Sequence, residues 1–348
     1  MFDGLIPQIG ALVAILAIPM VSKKVEHNIE YFFLITGMVV VTITNIWSFY
    51  LLKEALLHPI MIGDIPIGIT QVVLGAGLAF YYARDRVARI ADRLNSPSIL
   101  ASLVFVLGVV SSVISAIVAS VILAELLAFS KLPRYMKVRI SVFAAFAIGI
   151  GAALLPLGEP LSTIAIAKLK DEPYNAGFTF LFDNLWDILI PLVALFAMIT
   201  YFYSKRRGKE DVYVTDYRSS KKEVIMRAIK IYAFIFGLTL LGEFFKPLAE
   251  PVAELGVGVL YFFGLISAAA DNATLTAALV SSNMELNEIR AFLTSLVISG
   301  GLLIPGNVPN IIFASILKIG FKEWARLAVP IGMPVFLIIA AILLTLGI

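Results

Sequence analysis

Runs of about 20 residues with almost no charge recur along this sequence, and they set the solvent in which the chain can fold. LIPQIGALVAILAIPMV (5–21), SILASLVFVLGVVSSVISAIVASVIL (98–123) and MPVFLIIAAILLTLGI (333–348) are examples. A helix needs about 20 apolar residues to cross the hydrocarbon core of a bilayer. The chain is 60% hydrophobic and 15% charged, whereas soluble domains are about 45–50% apolar. It is therefore read as an all-α polytopic membrane protein. There is no cysteine, which excludes disulfides and thiolate metal sites. His27 and His58 fall near span ends, so neither a histidine zinc site nor a histidine proton relay is expected. The opening MFDGLIPQIG carries no basic stretch ahead of its apolar run, and that run is expected to stay as a span. The net charge of +3 points to no nucleic-acid partner.

The apolar runs predict spans over 5–22, 31–51, 65–82, 140–168, 177–203, 228–245, 290–317 and 327–347. Two further stretches, 98–128 and 255–280, fit no single span. Lys and Arg collect on the cytoplasmic side of membrane proteins. With the N-terminus outside, 22 of the 27 basic residues fall inside, in the segments 23–24, 84–93, 131–139, 205–230 and 318–326. That division holds only if 98–128 and 255–280 do not cross. The first has basic clusters at both ends. Two arms of about 12 residues, at about 1.5 Å each, would reach the middle of the bilayer and return. Both stretches are therefore read as re-entrant hairpins, one from each side, against the alternative of one long tilted helix in each. The central linker is then cytoplasmic and the C-terminus outside, in the inner membrane of a prokaryote. The Arg84–Arg93 segment is expected to rest on anionic lipid.

The polar linker over 205–227 separates two runs with the same order of elements. Residues 61–204 read as span, hairpin, interrupted span, span; residues 228–348 repeat that order from the opposite side. LLPLGEPLSTIAIA (154–167) echoes LLIPGNVPNIIFAS (302–315), and VARIADRL (87–94) is placed like PVAELGVG (251–258). The two spans within 1–60 lie outside the repeat and read as scaffold. Inverted repeats with interrupted helices are the architecture of secondary transporters.

Chemistry is expected where the helices open. Pro156-Leu-Gly-Glu-Pro160 and Pro305-Gly-Asn-Val-Pro309 each fall inside a predicted span. Proline removes a backbone donor and glycine adds freedom. Backbone opened at that depth is tolerated only when it is buried in protein or lines a cavity; plain proline kinks are the alternative. The first opening carries Glu159, Ser162 and Thr163, and the second Asn307 and Asn310. SAAADNATLTAALV (267–280) would form the tip of the second hairpin, bringing Asp271, Asn272, Thr274 and Thr276 to mid-depth. An intramembrane Asp marks a functional site by default. One carboxylate with neutral oxygens suits a monovalent cation or a proton. The tip of the first hairpin offers Ser111, Ser112, Ser115 and Ser120, and its acid comes from Glu159, so each half supplies one acid. Glu125 reads as a partner for nearby basic residues. Asp183 and Asp187 share a helical face. They could raise each other's proton affinity, or Asp183 could be interfacial and Asp187 paired; the spacing leaves both open. Asn45 and Thr44 read as hydrogen-bonding between helices.

At GEPLST, DNATLT and PGNVPN the sequence resembles a prokaryotic family of predicted cation transporters. That family is similar to a branch of the ion transporter superfamily, with its sodium/proton antiporters, arsenite exporters and sodium-coupled carboxylate carriers. The resemblance covers nearly the whole chain. It implies re-entrant hairpins, a homodimer of scaffold and transport domains, and elevator-type movement. It also implies an ion held at each hairpin tip and its opened helix. The positions are Ser112, Ser115, Gly158, Glu159, Ser162 and Thr163 in one half, and Asp271, Asn272, Thr274, Gly306, Asn307 and Asn310 in the other. The carboxylate carriers use neutral Ser-Asn-Thr motifs where this chain has acids, and fixed negative charge would repel an anion.

The expectation is a sodium/proton antiporter with Asp271 and Glu159 as the ion- and proton-binding carboxylates. Bound Na⁺ is expected on Asp271, Asn272, Asn307 and Glu159, with no resident cofactor. The alternative is a sodium-coupled carrier of an organic or inorganic anion. No nucleophile–base pair points to an enzyme.

Overall fold

The computed structural model of the protein describes residues 6–26, 28–61, 66–205, 220–248 and 256–346. His27 and Asp64 lie outside the described residues, as do residues 251–255 of the PVAELGVG echo. Among the described residues every regular element is a helix. α1 (Ile6–Val21) and the short α2 (Lys23–Glu26) lead to α3 (Ile29–Ile43) and α4 (Phe49–Leu57). The apolar pattern predicts one span over 31–51; the structure has a break after Ile43. Its causes are local. Thr44 Oγ1 donates back to Val40 O. Asn45 takes left-handed backbone with φ 54°, which Asn enters more readily than most residues. Ser48 Oγ then accepts from Leu51 N at 3.0 Å and caps α4. The hydroxyl of Thr44 thus serves its own helix rather than bridging to a neighbour.

α5 (Ile69–Tyr82) is followed by α6 (Arg84–Ala91), which buries Val87 and Ala91 and exposes Arg84, Arg86 and Arg89. α7 (Pro97–Ile114) and α8 (Ala116–Phe129) are joined by Ser115 alone, at φ 77°. The chain doubles back there: Asp92, before α7, and Lys131, after α8, form an ion pair at 3.0 Å. A continuous helix over 98–128 would hold its ends about 45 Å apart, so the tilted-helix reading is excluded for this stretch. The arms are unequal, 18 and 14 residues rather than about 12 each.

α9 (Arg134–Ala152) and α10 (Pro160–Lys168) are the two parts of one interrupted run, and α11 (Phe180–Lys205) follows. α12 (Lys221–Phe245) starts inside the stretch read as linker. Ser220 and Glu223 cap it reciprocally: Ser220 Oγ accepts from Glu223 N at 3.2 Å, and Ser220 N donates to Glu223 Oε2 at 2.8 Å. Residues 206–219 of that linker lie outside the described residues. α13 (Val257–Phe263), a 3₁₀ turn over Gly264–Ala268 and α14 (Asn272–Leu279) occupy the second hairpin stretch. α15 (Leu286–Gly300) and α16 (Val308–Leu317) form the second interrupted run, and α17 (Phe321–Leu346) follows.

Among the described residues five helices are long and apolar enough to cross a membrane: 97–114, 134–152, 180–205, 221–248 and 321–345. α9 and α15 are central. Residues 140–154 and 291–302 are buried without interruption, as expected of helices apolar on every face. α9 packs between α7 and α11, α15 packs with α13 and α17, and α3 and α4 pack on α12. The α7–α9 contact depends on missing side chains. A Cβ on Gly151 would stand 1.8 Å from the carbonyl oxygen of Gly108, so the two backbones touch directly. Gly151→Ala is expected to force these helices apart and cost more than the 1–3 kcal/mol typical of overpacking, about 3 kcal/mol or above. Gly75→Ala, with nothing within 4 Å of its added carbon, is expected to be neutral. Thermal stability of the two variants in detergent checks the contrast.

Basic segments far apart in sequence meet at one end of the molecule. Arg134 donates to Leu317 O and Lys318 O and pairs with Glu323 at 2.9 Å. Lys318 pairs with Glu223 at 3.4 Å, and Lys230 with Glu30 at 3.5 Å. Away from this cluster the Tyr174 hydroxyl donates to Met284 O at 2.5 Å, tying two connecting segments together.

Candidate functional site

Both interruptions are built alike. α9 ends at Ala152 and α15 at Gly300; α10 and α16 begin eight residues later. Glu159 and Asn307 occupy the same place, the residue before the second half-helix, with φ/ψ of −157°/161° and −153°/148°. Pro160 and Pro309 follow at the first or second helical position, where a missing N–H leaves no bond unmade. Three residues after Glu159 and after Asn307, a polar side chain reaches back to the last carbonyl of the preceding helix. Ser162 Oγ donates to Ala152 O at 3.4 Å, and Asn310 Nδ2 to Gly300 O at 2.7 Å. The same Asn310 nitrogen also donates to Leu303 O, and Thr163 Oγ1 donates to Pro156 O, both at 2.7 Å. These side chains replace the ladder bonds that the interruption removes.

Each turning segment touches the interruption in its own half. Ala116 N, just past Ser115, donates to Gly158 O at 2.9 Å. In the second half a Cβ on Gly306 would lie 2.7 Å from Ser267 O, and one on Gly300 would lie 3.0 Å from Asn272 Nδ2. Asn307 lies over the bare backbone of α9, where a Cβ on Gly149 would be 2.3 Å from its Nδ2. The half-helices then cross over: α14 packs on α10 and α8 packs on α16.

Asp271 is the N-cap of α14. Its Oδ2 accepts from Thr274 N at 3.1 Å and Thr274 Oγ1 at 3.3 Å. Glu159 is 9% exposed, and its Oε1 is buried without a hydrogen-bond partner. The residues alone point to two separate notches with one acid each. The structure instead places the two carboxylates within electrostatic range of one another, because α10 and α14 pack together. Asn272 is bonded through Oδ1 to the Ser267 hydroxyl, while its Nδ2 and the Oδ1 of Asn310 are buried with no partner. Glu159 Oε1, Asn272 Nδ2 and Asn310 Oδ1 are thus each sealed from solvent and unpaired, and each such group costs about 1–3 kcal/mol.

Other sequence-named residues fall elsewhere. Thr276 spends its hydroxyl on Asn272 O, within its own helix. Ser111 bonds Gly108 O and Ile148 O, and Ser112 bonds Val109 O, so both act as packing groups of α7. Ser115 supplies the turn. Asp183 is exposed, and Asp187 pairs with Arg290 at 2.7 Å; the paired reading of Asp187 is the one realised, and neither acid joins Glu159 and Asp271. Glu125 pairs at 2.8 Å with Arg227 of α12, which is remote in sequence from the basic residues nearest to it. Among the described residues no three His, Asp or Glu side chains gather as a metal cage.

Sequence reasoning passed over Ser267, which holds Asn272, and Ser299, which donates to Gly264 O at 2.6 Å and Ser295 O at 2.6 Å. The signal was present as Ser295 and Ser299, one turn apart in the otherwise apolar SLVISG.

A family model described as "Protein of unknown function (DUF1646)" matches residues 6–346. No curated protein matches the chain.

Proposed function

We propose, for a chain that belongs to the DUF1646 family and whose family description assigns no activity, that it is a secondary transporter exchanging a monovalent cation, sodium, for protons. The observation that carries this reading is the packing of α10 on α14, two half-helices begun by the acids Glu159 and Asp271, in a molecule where Asn272 Nδ2 and Asn310 Oδ1 are also buried without partners. An acid held among apolar helices calls for a compensating positive charge. A cation or a proton answers that need, and competition between them couples their movements. Oxygen donors are at hand. Asn310 Oδ1 already lacks a partner. A turn of the Asn272 amide would present oxygen in place of Nδ2, since the Ser267 hydroxyl can donate or accept. One or two acids with neutral oxygens suit a monovalent ion better than a divalent one, which takes more carboxylates.

The two halves share their order of elements, and we read them as repeats inverted in the membrane. The segments 97–129 and 257–279 are then re-entrant hairpins entering from opposite sides, and the basic end is cytoplasmic. Elevator-type movement of a transport domain against a scaffold that includes the spans within 1–60, in a homodimer, is what the resemblance to the ion transporter superfamily implies. A sodium-coupled anion carrier is the second reading; the unpaired Asn272 Nδ2 donor favours it, and the two acids weigh against it.

In proteoliposomes with an imposed pH gradient, added sodium is expected to discharge the gradient. Potassium at the same concentration is expected to have much less effect. A gradient that no alkali cation discharges at any pH, in folded and correctly inserted protein, would remove the basis for this reading.

A further inference from the structure

At the basic end a cavity of about 510 Å³ opens between α3, α9, α12, α16 and the start of α17. Its mouth is rich in charge, but the charges are balanced. Arg134 pairs with Glu323, Lys318 with Glu223 and Lys230 with Glu30, at 2.9, 3.4 and 3.5 Å. The base deeper along its wall, Arg227, is held by the buried Glu125. A mouth lined by so many Lys and Arg would repel a cation if these were unpaired; each is instead matched by an acid, so the local field is close to neutral.

The inner end is apolar, formed by Phe234, Ile304 and Ile311, all buried. Ile304 opens the 3₁₀ turn that continues to Gly306 and Asn307, and Ile311 directly follows Asn310. The cavity is therefore lined on this side by residues of the second interruption and its half-helix, and Ile311 adjoins Asn310, whose Oδ1 is unpaired. The charged groups at its mouth make that part a place for water.

We propose that this cavity is the route by which a small cation reaches the second interruption from the basic end, with Phe234, Ile304 and Ile311 as its apolar gate. The proposal rests on the transport reading above and adds the path and the side from which it opens. The conformation described is then open toward the basic end and closed by three side chains.

The chain has no cysteine, so single-cysteine variants report access without background. Ser315→Cys and Ile311→Cys line the cavity; Asn283→Cys lies beside Met284 in the segment tied to Tyr174, away from the basic end. Inside-out and right-side-out membrane vesicles of the full-length variants would be treated with an impermeant thiol reagent. Both cavity cysteines are expected to react from the basic end only, Asn283→Cys from the opposite face only, and added sodium is expected to slow reaction at Ile311→Cys. If a different alkali cation slows it and sodium does not, the route stands and the sodium assignment falls. Failure of both cavity cysteines to react from the basic end, in variants that still exchange cations for protons, overturns the route. So does reaction that no cation alters in variants that remain active.

Discussion

Glu159→Gln is expected to abolish cation/proton exchange while leaving the protein at least as stable as the parent. The two effects have opposite signs for one physical reason. Glu159 is a buried acid with an oxygen that makes no hydrogen bond, and burying such a group costs folding free energy. A neutral amide of the same shape lowers that cost. Losing one partner of a buried charge contact, however, costs about 2–5 kcal/mol of binding. At about 1.4 kcal/mol per tenfold, cation affinity should fall by about 30-fold to a few thousandfold. Asp271→Asn is expected to behave similarly in transport and to remain folded, because Asn is as good an N-cap as Asp for the Thr274 amide. Asp271→Ala should lose about 1 kcal/mol more of stability through the lost cap. Exchange in proteoliposomes, alongside thermal unfolding in detergent, reads both quantities. Full exchange in both Glu159→Gln and Asp271→Asn would show that neither carboxylate carries the ion.

The largest effect on stability is expected at the pair formed by Glu125 and Arg227. Their side chains are 4% and 6% exposed, and their contact of 2.8 Å ties α8 to α12. Arg227→Met leaves a buried carboxylate with no counter-charge, and Glu125→Met leaves a buried guanidinium. Each is expected to destabilise the protein by about 3–5 kcal/mol. Replacing both together restores neutrality and apolar packing, so the double variant should come close to the parent. The interaction energy from the double-mutant cycle is the diagnostic quantity. Single variants that lose less than about 1 kcal/mol would mean that water screens this pair despite its burial. The pair also borders the proposed ion path, so the double variant, if folded, is the one in which to measure transport.

The legibility of this chain varied with the range of the interactions involved. The interruptions were readable because their cause is local: Pro156 to Pro160 and Pro305 to Pro309 each crowd two prolines and a glycine into five residues, whereas the isolated Pro191 stays inside one continuous helix. The turn between α7 and α8 was readable because charge at both ends of 98–128 does not allow one crossing. The break after Ile43 was missed because hydropathy registers Thr44, Asn45 and Ser48 only weakly, while their hydrogen bonds end one helix and begin the next. The early start of α12 was missed because SKKE (220–223) reads as a charged linker until Ser220 and Glu223 are seen to cap each other.

By itself the sequence determined that this chain is a helical membrane protein, where its helices are interrupted, and which acids lie among apolar residues. These properties follow from side-chain solvation and from proline and glycine stereochemistry, which act within a few residues. Only the tertiary structure decided that the half-helices begun by Glu159 and Asp271 pack together, that Asp187 is taken by Arg290 and Glu125 by Arg227, and that a charge-balanced cavity borders the half-helix of Asn310. Those pairings join residues about 100 or more positions apart. They depend on which helices pack together, and no pattern along the chain carries that information.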